Sequence, residues 1–385
     1  MTLKIGVLGG DGIGPEVARE ALKVLDTICE LRSFSTERIE WPYGADHCMA
    51  TGGPGKGVVL PATIWNEIKE LDAIFLGAIG DPRFEAGYLE FGIVGALRFT
   101  LDLYVNLRPI KLYSEDLCPL KGKGVKDLDL LVVRENTEDA YAGIMGHLKK
   151  NTPDEVAIQE MIYTRKGVER VIRYAYQKCM ERKKNFKLSL VDKANAIRAH
   201  DIWRRTFAEV GREFPKVQQD AMYVDACTMW LVKNPESFDT VVTTNLFGDI
   251  ITDLGAMLQG GLGIAAGGNI HPGKVSMFEP IHGSAPKYKG QNKANPLAAI
   301  NAMGMLLDHV GRQEEAALVE KAVAGLLSTR RIPSLQAGAM PCDRIGDLVA
   351  AEIRTLDGDK PRKPKPAAGK RTLIAVGGRK KTARR

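Results

Sequence analysis

The sequence predicts an α/β protein built on a mostly parallel sheet covered by helices, and three observations lead there. Short apolar runs of strand type alternate with stretches whose apolar residues recur at helical spacing. Glycine-rich turns follow the earliest of those runs. At 385 residues the chain exceeds one ordinary core, so it is read as one or two domains.

Taken in order, Lys4–Leu8 is a buried strand, and GGDGIGPE turns it into a helix from about Pro15, where proline suits the first turn. This turn is not a dinucleotide fingerprint. Counted from Gly10, the third glycine of G-x-G-x-x-G would fall on Pro15. Either it lies beside a ligand or its glycines serve only tight packing. Asp72–Gly77 is a second buried strand. ALRFTLDLYVNLRP then sets Arg98 and Arg108 around Leu101, Leu103 and Val105, and Asp129–Val133 delivers Arg134 into RENTEDAYAG, with Tyr141 close behind. Three arginines after apolar runs suit a small polycarboxylate, because guanidinium binds carboxylate through two parallel hydrogen bonds. Each arginine alone is equally served by a structural ion pair. Lys187–Val191 ends in DKAN, which puts Lys193 at a strand end. Beside a metal and other cations a buried lysine loses proton affinity and can act as a base; otherwise it is an ordinary solvated lysine.

The stretch Thr243–Met257 carries the most chemistry. It follows the strand-like run Phe238–Val242, and Asn245 is a competent helix N-cap. Leu246, Ile250, Leu254 and Leu258, with Phe247 and Ile251, recur at helical spacing and define an expected buried stripe. Asp249 and Asp253 stand one turn apart on one face, where like charges repel by a few tenths of a kcal/mol. A hard divalent cation would turn that repulsion into coordination; two solvated aspartates are the alternative. Asp225, in MYVDAC, is a further carboxylate at the end of a strand-like run. Beyond the aspartates, FEPIHGSAPKYKGQNKANP concentrates Gly, Ser, Ala and Pro around one histidine, which fits a loop lying close on a ligand.

Hydrophobic content of 44% with 26% charged residues is that of a globular protein, and no apolar run reaches the ~20 residues of a membrane helix. The first residues run straight into a strand, which argues against a signal peptide. Six cysteines without CxxC spacing point to reduced thiols in the cytoplasm, with neither a disulfide framework nor a zinc site. Lys360–Arg385 holds 11 Lys/Arg and no acid, so removing it takes the formal charge from +7 to −4. Residues 359–385 are read as a basic, disordered tail. Its charge raises the alternative of nucleic-acid binding. The tail has no aromatic residue for base stacking, so nucleic acid is not expected as a partner, and nor is a membrane.

Together these stretches resemble the β-decarboxylating 2-hydroxyacid dehydrogenases, which act on isopropylmalate, isocitrate, homoisocitrate or tartrate. The resemblance spans roughly Lys4–Leu356 and rests on GGDGIGPE, LRFTLDLYVNLRP, VVRENTEDAYAG, VDKAN, MYVDAC, NLFGDIITD and EPIHGSAPKYKGQNKANP, in the family's order. It implies a fold other than the Rossmann fold, two α/β domains around a cleft with the second inserted in the first. The first would cover about 1–103 plus 260–358, the inserted one about 104–259. It also implies a homodimer with shared sites, in which Lys193 and Asp225 are the residues borrowed from the partner.

The implied roles follow the motifs. Arg98, Arg108 and Arg134 clamp substrate carboxylates, and Asp225, Asp249 and Asp253 hold Mg²⁺ or Mn²⁺ against the substrate, Asp225 reaching both. Lys193 takes the hydroxyl proton and Tyr141 protonates carbon after decarboxylation. Glu279, His282, Gly283, Ser284, Ala285, Pro286, Lys287, Tyr288 and Asn295 line the nicotinamide cofactor. Isocitrate enzymes place Ser and Asn six and four residues before the first arginine; here those positions are Gly92 and Val94. Ile93 and Val94 offer an apolar wall for the isopropyl group of 3-isopropylmalate, a preference worth only ~1–3 kcal/mol per methylene. RENTED is worded more like isocitrate and tartrate enzymes, which stay as alternatives. NAD-dependent relatives carry Asp directly after HGSAP. This chain has Lys287 and Tyr288, the pair of NADP-dependent isocitrate enzymes. NAD is expected with discrimination against NADP blunted, and Arg330 and Arg331 are candidate sources of further positive charge.

Overall fold

The computed structural model describes residues 2–358, so the expectations for the tail at 359–385 lie outside the described residues. Twelve strands form where aliphatic and β-branched runs occur. They are β1 (Thr2–Gly10), β2 (Ser35–Trp41), β3 (Ala73–Ala78), β4 (Val105–Lys111), β5 (Asp129–Glu135), β6 (Met145–Leu148), β7 (Val156–Gln159), β8 (Lys187–Asp192), β9 (Gln218–Tyr223), β10 (Thr240–Thr243), β11 (Ala266–Ile270) and β12 (Ser276–Pro280). Ten join one sheet in the order β2-β1-β3-β12-β11-β4-β5-β10-β8-β9, and β6 and β7 make a separate, exposed hairpin.

The outer strands pair in parallel, whereas β12–β11, β11–β4 and β4–β5 at the centre pair antiparallel. A mostly parallel sheet was the expectation, and the antiparallel centre has a simple cause. One half of the sheet is drawn from residues 2–78 and 266–280, the other from 105–243. The chain crosses between halves on β4 and returns on β11, which run side by side in opposite directions.

Strands covered on both faces must be apolar throughout, and β3 (AIFLGA) and β10 (TVVT) are buried at every position. Helix Gly14–Arg32 lays Val17, Ala21, Val24, Leu25 and Ile28 into the core at helical spacing. Helix Leu297–His309 packs against that helix, Gln313–Ser328 and β12, so its apolar surface extends well beyond one stripe. No helix among the described residues is long and apolar enough to cross a membrane.

The turn after β1 is a packing joint. Gly10 and Gly12 have φ of +73° and +57°, and a Cβ on Gly12 would collide with the Ser284 carbonyl oxygen. The Ile13 N–H donates to that same oxygen at 2.8 Å. The buried Asp11 carboxylate accepts from the N–H groups of Ala45 at 2.7 Å and Gly80 at 3.0 Å. The turn therefore props the loop that contains HGSAP.

Helix Asn245–Leu258 differs from its expected face. Its buried residues are Asn245, Gly248, Ile251, Thr252, Gly255, Ala256 and Leu258, while Ile250 is 53% exposed and Leu246, Phe247 and Leu254 are half-buried. The glycines explain the rotation. A Cβ on Gly248 or Gly255 would strike the side chain of Arg134 or Ile110, so their absence seats the helix backbone directly on β5 and β4. Nor does Asn245 cap the helix. Asn245 is its first residue, its side-chain oxygen serves Arg134, and Asp139 Oδ2 accepts the Leu246 N–H at 2.9 Å instead.

Gly12→Ala should cost about 2 kcal/mol or more, combining left-handed strain with a backbone collision. Gly55→Ala, equally strained at φ +76° but with nothing within 4 Å of the added Cβ, is the control. Urea denaturation of both variants checks this; equal losses would show that the Ser284 contact carries no weight.

Candidate active site

The site grows from the alternation of strand side chains. On β4, Asn106 and Arg108 share one face of the sheet. The last residues of β5 bring Arg134, with Asn136 just beyond; β11 contributes Asn269 and β12 Glu279. Asn269, fully buried, is the hub. Its Oδ1 accepts from Arg98 Nε at 3.0 Å, Asn106 Nδ2 at 2.9 Å and Asn136 Nδ2 at 3.0 Å, and its Nδ2 donates to Glu279 Oε1 at 2.7 Å. Arg108 Nε in turn donates to Asn106 Oδ1 at 2.6 Å. These asparagines aim two guanidiniums without neutralising them.

Arg134 is 1% exposed and spans to the acidic helix. It donates through Nε and Nη2 to Asn245 Oδ1 at 3.0 and 2.7 Å, and through Nη1 to Asp249 Oδ1 at 2.5 Å. Tyr141 donates its hydroxyl to Asp249 Oδ2 at 3.1 Å, and its ring lies 5.4 Å from the Arg134 guanidinium. Arg98, Arg108, Arg134, Tyr141 and Asp249 thus meet in one place, with Asp253 a turn further on.

The electrostatics are those of an anion site with an acidic rim. Burial, with Arg134 and Arg98 nearby, pushes Arg108 down to about 10, and burial likewise lowers Arg98. Among the described residues, Glu279, 3.7 Å from Arg98, and Asp249 are the carboxylates paired with these guanidiniums. Burial would raise the Asp249 carboxyl, but Arg134, Tyr141 and Arg108 outweigh it and the net shift is down. Asp253 is raised, first by burial and then by Asp249. Two oxygen donors of like charge one turn apart are the donor set a hard divalent cation takes. Burial raises the Tyr141 hydroxyl, so it stays protonated near neutral pH.

Lys193 and Asp225 lie apart from this cluster. Lys193 Nζ pairs with Asp225 Oδ2, and neither residue bonds to the arginines, Tyr141, Asp249 or Asp253. Among the described residues no three His, Cys, Asp or Glu side chains gather as a metal site. Of the three carboxylates expected together, Asp249 and Asp253 lie on one helix and Asp225 is paired with Lys193.

The loop after β12 carries the expected cofactor residues. Ser284 and Asn295 are buried, Gly283, Pro286 and Lys287 exposed, and Ala285 adopts a left-handed φ of +39°. His282 Nδ1 donates to the Gly283 carbonyl at 3.0 Å, so its unpartnered Nε2 is an acceptor, while the unpartnered Asn295 Nδ2 is a donor; a ligand offering both a donor and an acceptor would satisfy the two. The Lys287 ammonium stands 4.8 Å over the Tyr288 ring. Arg330 and Arg331, the candidate extra cations, are committed elsewhere, to Asp116 and Glu352.

Around the expected apolar wall the helical run from Tyr88 to Thr100 contains a π-turn, Phe91–Gly95, a distortion common at functional sites. Ile93 is wholly buried in the core and Val94 half-buried beside it. A Cβ on Gly92 would come within 2.7 Å of Val59 Cγ1. The asparagine hub and Asp139 have no counterpart among the expected site residues. For Asn106 and Asn269 the one signal is a polar side chain inside an otherwise apolar strand, as in VNLRP and GGNI; Asp139, outside any strand, has none.

Residues 4–349 match the isocitrate/isopropylmalate dehydrogenase family. The chain is 47% identical to a 3-isopropylmalate dehydrogenase of Thermobifida fusca, over 91% of this chain and 98% of that protein. It is 46% identical to a 3-isopropylmalate dehydrogenase of Nocardia farcinica, over 91% of this chain and the whole of that one. The crystal structure of isocitrate dehydrogenase from Methylococcus capsulatus superposes with a TM-score of 0.81 at 32% identity, over 91% of this chain and 99% of that chain.

Asn269→Ala would strand Arg98 Nε, two asparagine amides and Glu279 at once. It should cost about 2–4 kcal/mol of stability, since each unmet buried polar group costs about 1–3 kcal/mol and water recovers part. Denaturant unfolding checks this; a loss below 1 kcal/mol would mean the hub is not needed to hold the arginines.

Proposed function

The chain belongs to the isocitrate/isopropylmalate dehydrogenase family, and from that premise we infer that it oxidatively decarboxylates 3-isopropylmalate to 4-methyl-2-oxopentanoate, a step of leucine biosynthesis. The observation that carries the reading is the convergence of three guanidiniums, short of counter-charge, beside Tyr141 and Asp249. A dicarboxylate supplies the missing negative charge, and bidentate pairing fixes its orientation. Within the family, the apolar end of the substrate is the discriminator. Gly92 has no hydroxyl and is packed on Val59, and Val94, backed by the buried Ile93, offers a methyl surface where a third carboxylate would find no partner.

Arg98, Arg108 and Arg134 hold the two carboxylates so that the hydroxyl-bearing carbon faces the cofactor loop. The partner's Lys193 receives the hydroxyl proton as hydride leaves that carbon, and Tyr141, kept protonated, later returns a proton to the carbon that has lost carbon dioxide. A divalent cation on Asp249, Asp253 and the partner's Asp225 would supply Lewis-acid stabilisation, and NAD the hydride acceptor. His282 and Asn295 would hold the nucleotide. Lys287 and Tyr288 can donate where a carboxylate would repel a 2′-phosphate, so NADP is poorly excluded.

We take the working unit to be a homodimer. Lys193 and Asp225 sit outside the cluster they would serve, and large apolar side chains are exposed nearby in sequence and fold. These are Met229, Trp230 and Val232 on helix Val224–Lys233, Ile250 and Met257 on the acidic helix, and Met145 and Ile158 on the hairpin. Exposed apolar side chains on these elements support an interface there. Residues 1–103 with 260–358 are proposed as one domain and 104–259 as the inserted one, supported by the way the sheet divides. Six free cysteines suit the cytoplasm.

Reduction of NAD by the purified enzyme should be fastest with 3-isopropylmalate among the four family substrates. A higher kcat/KM for isocitrate would overturn the substrate assignment. Excess chelator, or Asp249→Asn, should remove at least about 99% of kcat while leaving the far-ultraviolet circular dichroism unchanged. Full activity in chelator would remove the cation from the reading. Lys287→Asp should raise the preference for NAD over NADP at least about tenfold, or about 1.4 kcal/mol. An unchanged ratio would place Lys287 away from the ribose.

A further inference from the structure

Two buried polar side chains outside the assigned site, His200 and Asp139, and the half-buried Tyr163 between them form one hydrogen-bonded chain that begins at Lys193. His200 is fully buried, and its Nδ1 lies 2.9 Å from the Lys193 backbone N. Its Nε2 lies 2.9 Å from Tyr163 Oη, and Tyr163 donates to Asp139 Oδ1 at 2.7 Å. Asp139 Oδ2 then accepts the Leu246 N–H at 2.9 Å, at the start of the helix that bears Asp249 and Asp253.

Chemistry fixes the direction of every proton. A backbone N–H can only donate, so Nδ1 of His200 is the acceptor and the neutral ring carries its proton on Nε2. That proton goes to the Tyr163 oxygen, and the tyrosine proton goes to the Asp139 carboxylate. Burial lowers His200 and, with Asp139 close by, raises the Tyr163 hydroxyl, so both groups are held in the forms this direction requires. Phe247 and Tyr163 stand edge-on to the imidazole, at 5.6 and 5.1 Å between ring centres, and fix its plane.

Asp139 bears the conformational cost. Its φ of +69° and ψ of −151° fall in a region that only glycine enters freely, which costs on the order of 1–3 kcal/mol. Strain of that size persists only where the surroundings enforce it. Here it lets one carboxylate reach the Ala140 N–H and Tyr163 with one oxygen and Leu246 with the other.

We propose that His200, Tyr163 and Asp139 are positioning residues for the reaction, locking the loop that carries Lys193 to the first turn of the acidic helix. The proposal rests on the reading of Lys193 as the base. In the proposed dimer Lys193 serves the partner's site and Asp249 its own, so the chain joins an element of each.

The test combines kinetics with spectroscopy on the full-length enzyme. His200→Ala should lower kcat at least about tenfold with KM for the hydroxyacid within about threefold, because the clamp is untouched. His200→Asn, whose Oδ1 can still accept from the Lys193 N–H, should recover most of that loss. Tyr163→Phe, which cuts the chain at its middle, should reproduce the split between kcat and KM. In enzyme labelled with ¹⁵N-histidine, His200 should appear as the Nε2–H tautomer. An Nδ1–H tautomer, no rescue by Asn, or kcat and KM moving together with thermal stability would each overturn the proposal. Lys193→Met separates the two levels. If it retains full kcat, the assignment of the base fails and the proposal with it. If it is inactive while His200→Ala is fully active, the positioning proposal alone fails.

Discussion

The bridge from the buried Arg134 to the half-buried Asp249 is the constraint on which the rest of the site depends. An ion pair with one partner buried gains little stability by itself, because desolvating the guanidinium offsets the attraction. Its value is geometric. Every nitrogen of Arg134 is engaged, by Asn245 on one side and Asp249 on the other, so the guanidinium has one possible pose. Gly248 leaves the room for it, and Tyr141 closes over it. The end of β5 and the start of the acidic helix are thereby held in register, and with them the groups proposed to orient carboxylate, cation and proton donor.

A second layer works by neutrality. Asparagines, not carboxylates, aim Arg98 and Arg108, so their charge is left for the substrate. Had acidic side chains done this work, the arginines would be better stabilised and the site poorer at binding a dianion. On the acidic side the balance is reversed, since Asp249 and Asp253 leave negative charge that only a cation or a further partner group can settle. The site is built with both kinds of charge incomplete, which is what a metal-bound dianion requires.

Much of this was legible in the sequence because strand, turn and helix signals repeat in a fixed order and because arginines after apolar runs are conspicuous. The fold class and the mostly parallel sheet follow from those signals, and the meeting of Arg98, Arg108, Arg134, Tyr141 and Asp249 from the family resemblance of the motifs that carry them. Three features were not legible. The acidic helix turns a different face to the core because glycines approach more closely than leucines, a packing effect that periodicity alone ranks the wrong way. Asn269 looks like any loop-forming asparagine until the sheet order places β4 and β11 side by side. Of the two residues expected on the apolar wall, Ile93 is wholly buried in one core cluster with Ile64, Ile68 and Leu76, while Val94 stays half-buried beside it, a division that the sequence alone does not show. Each depends on contacts distant in sequence.

The central claim is that one chain holds the clamp and its partner the base. It is tested most directly by mixing two variants inactivated on opposite sides of that division, Asp249→Asn and Lys193→Met. If each site takes Asp249 from one chain and the partner's Lys193 from the other, half of a randomly mixed population is heterodimeric and each heterodimer keeps one intact site. Refolding the two variants together should then restore about a quarter of the wild-type kcat. A mixture as inactive as its two components, with heterodimer formation verified by differential tagging, would show that Lys193 acts within its own chain and would contradict the shared site.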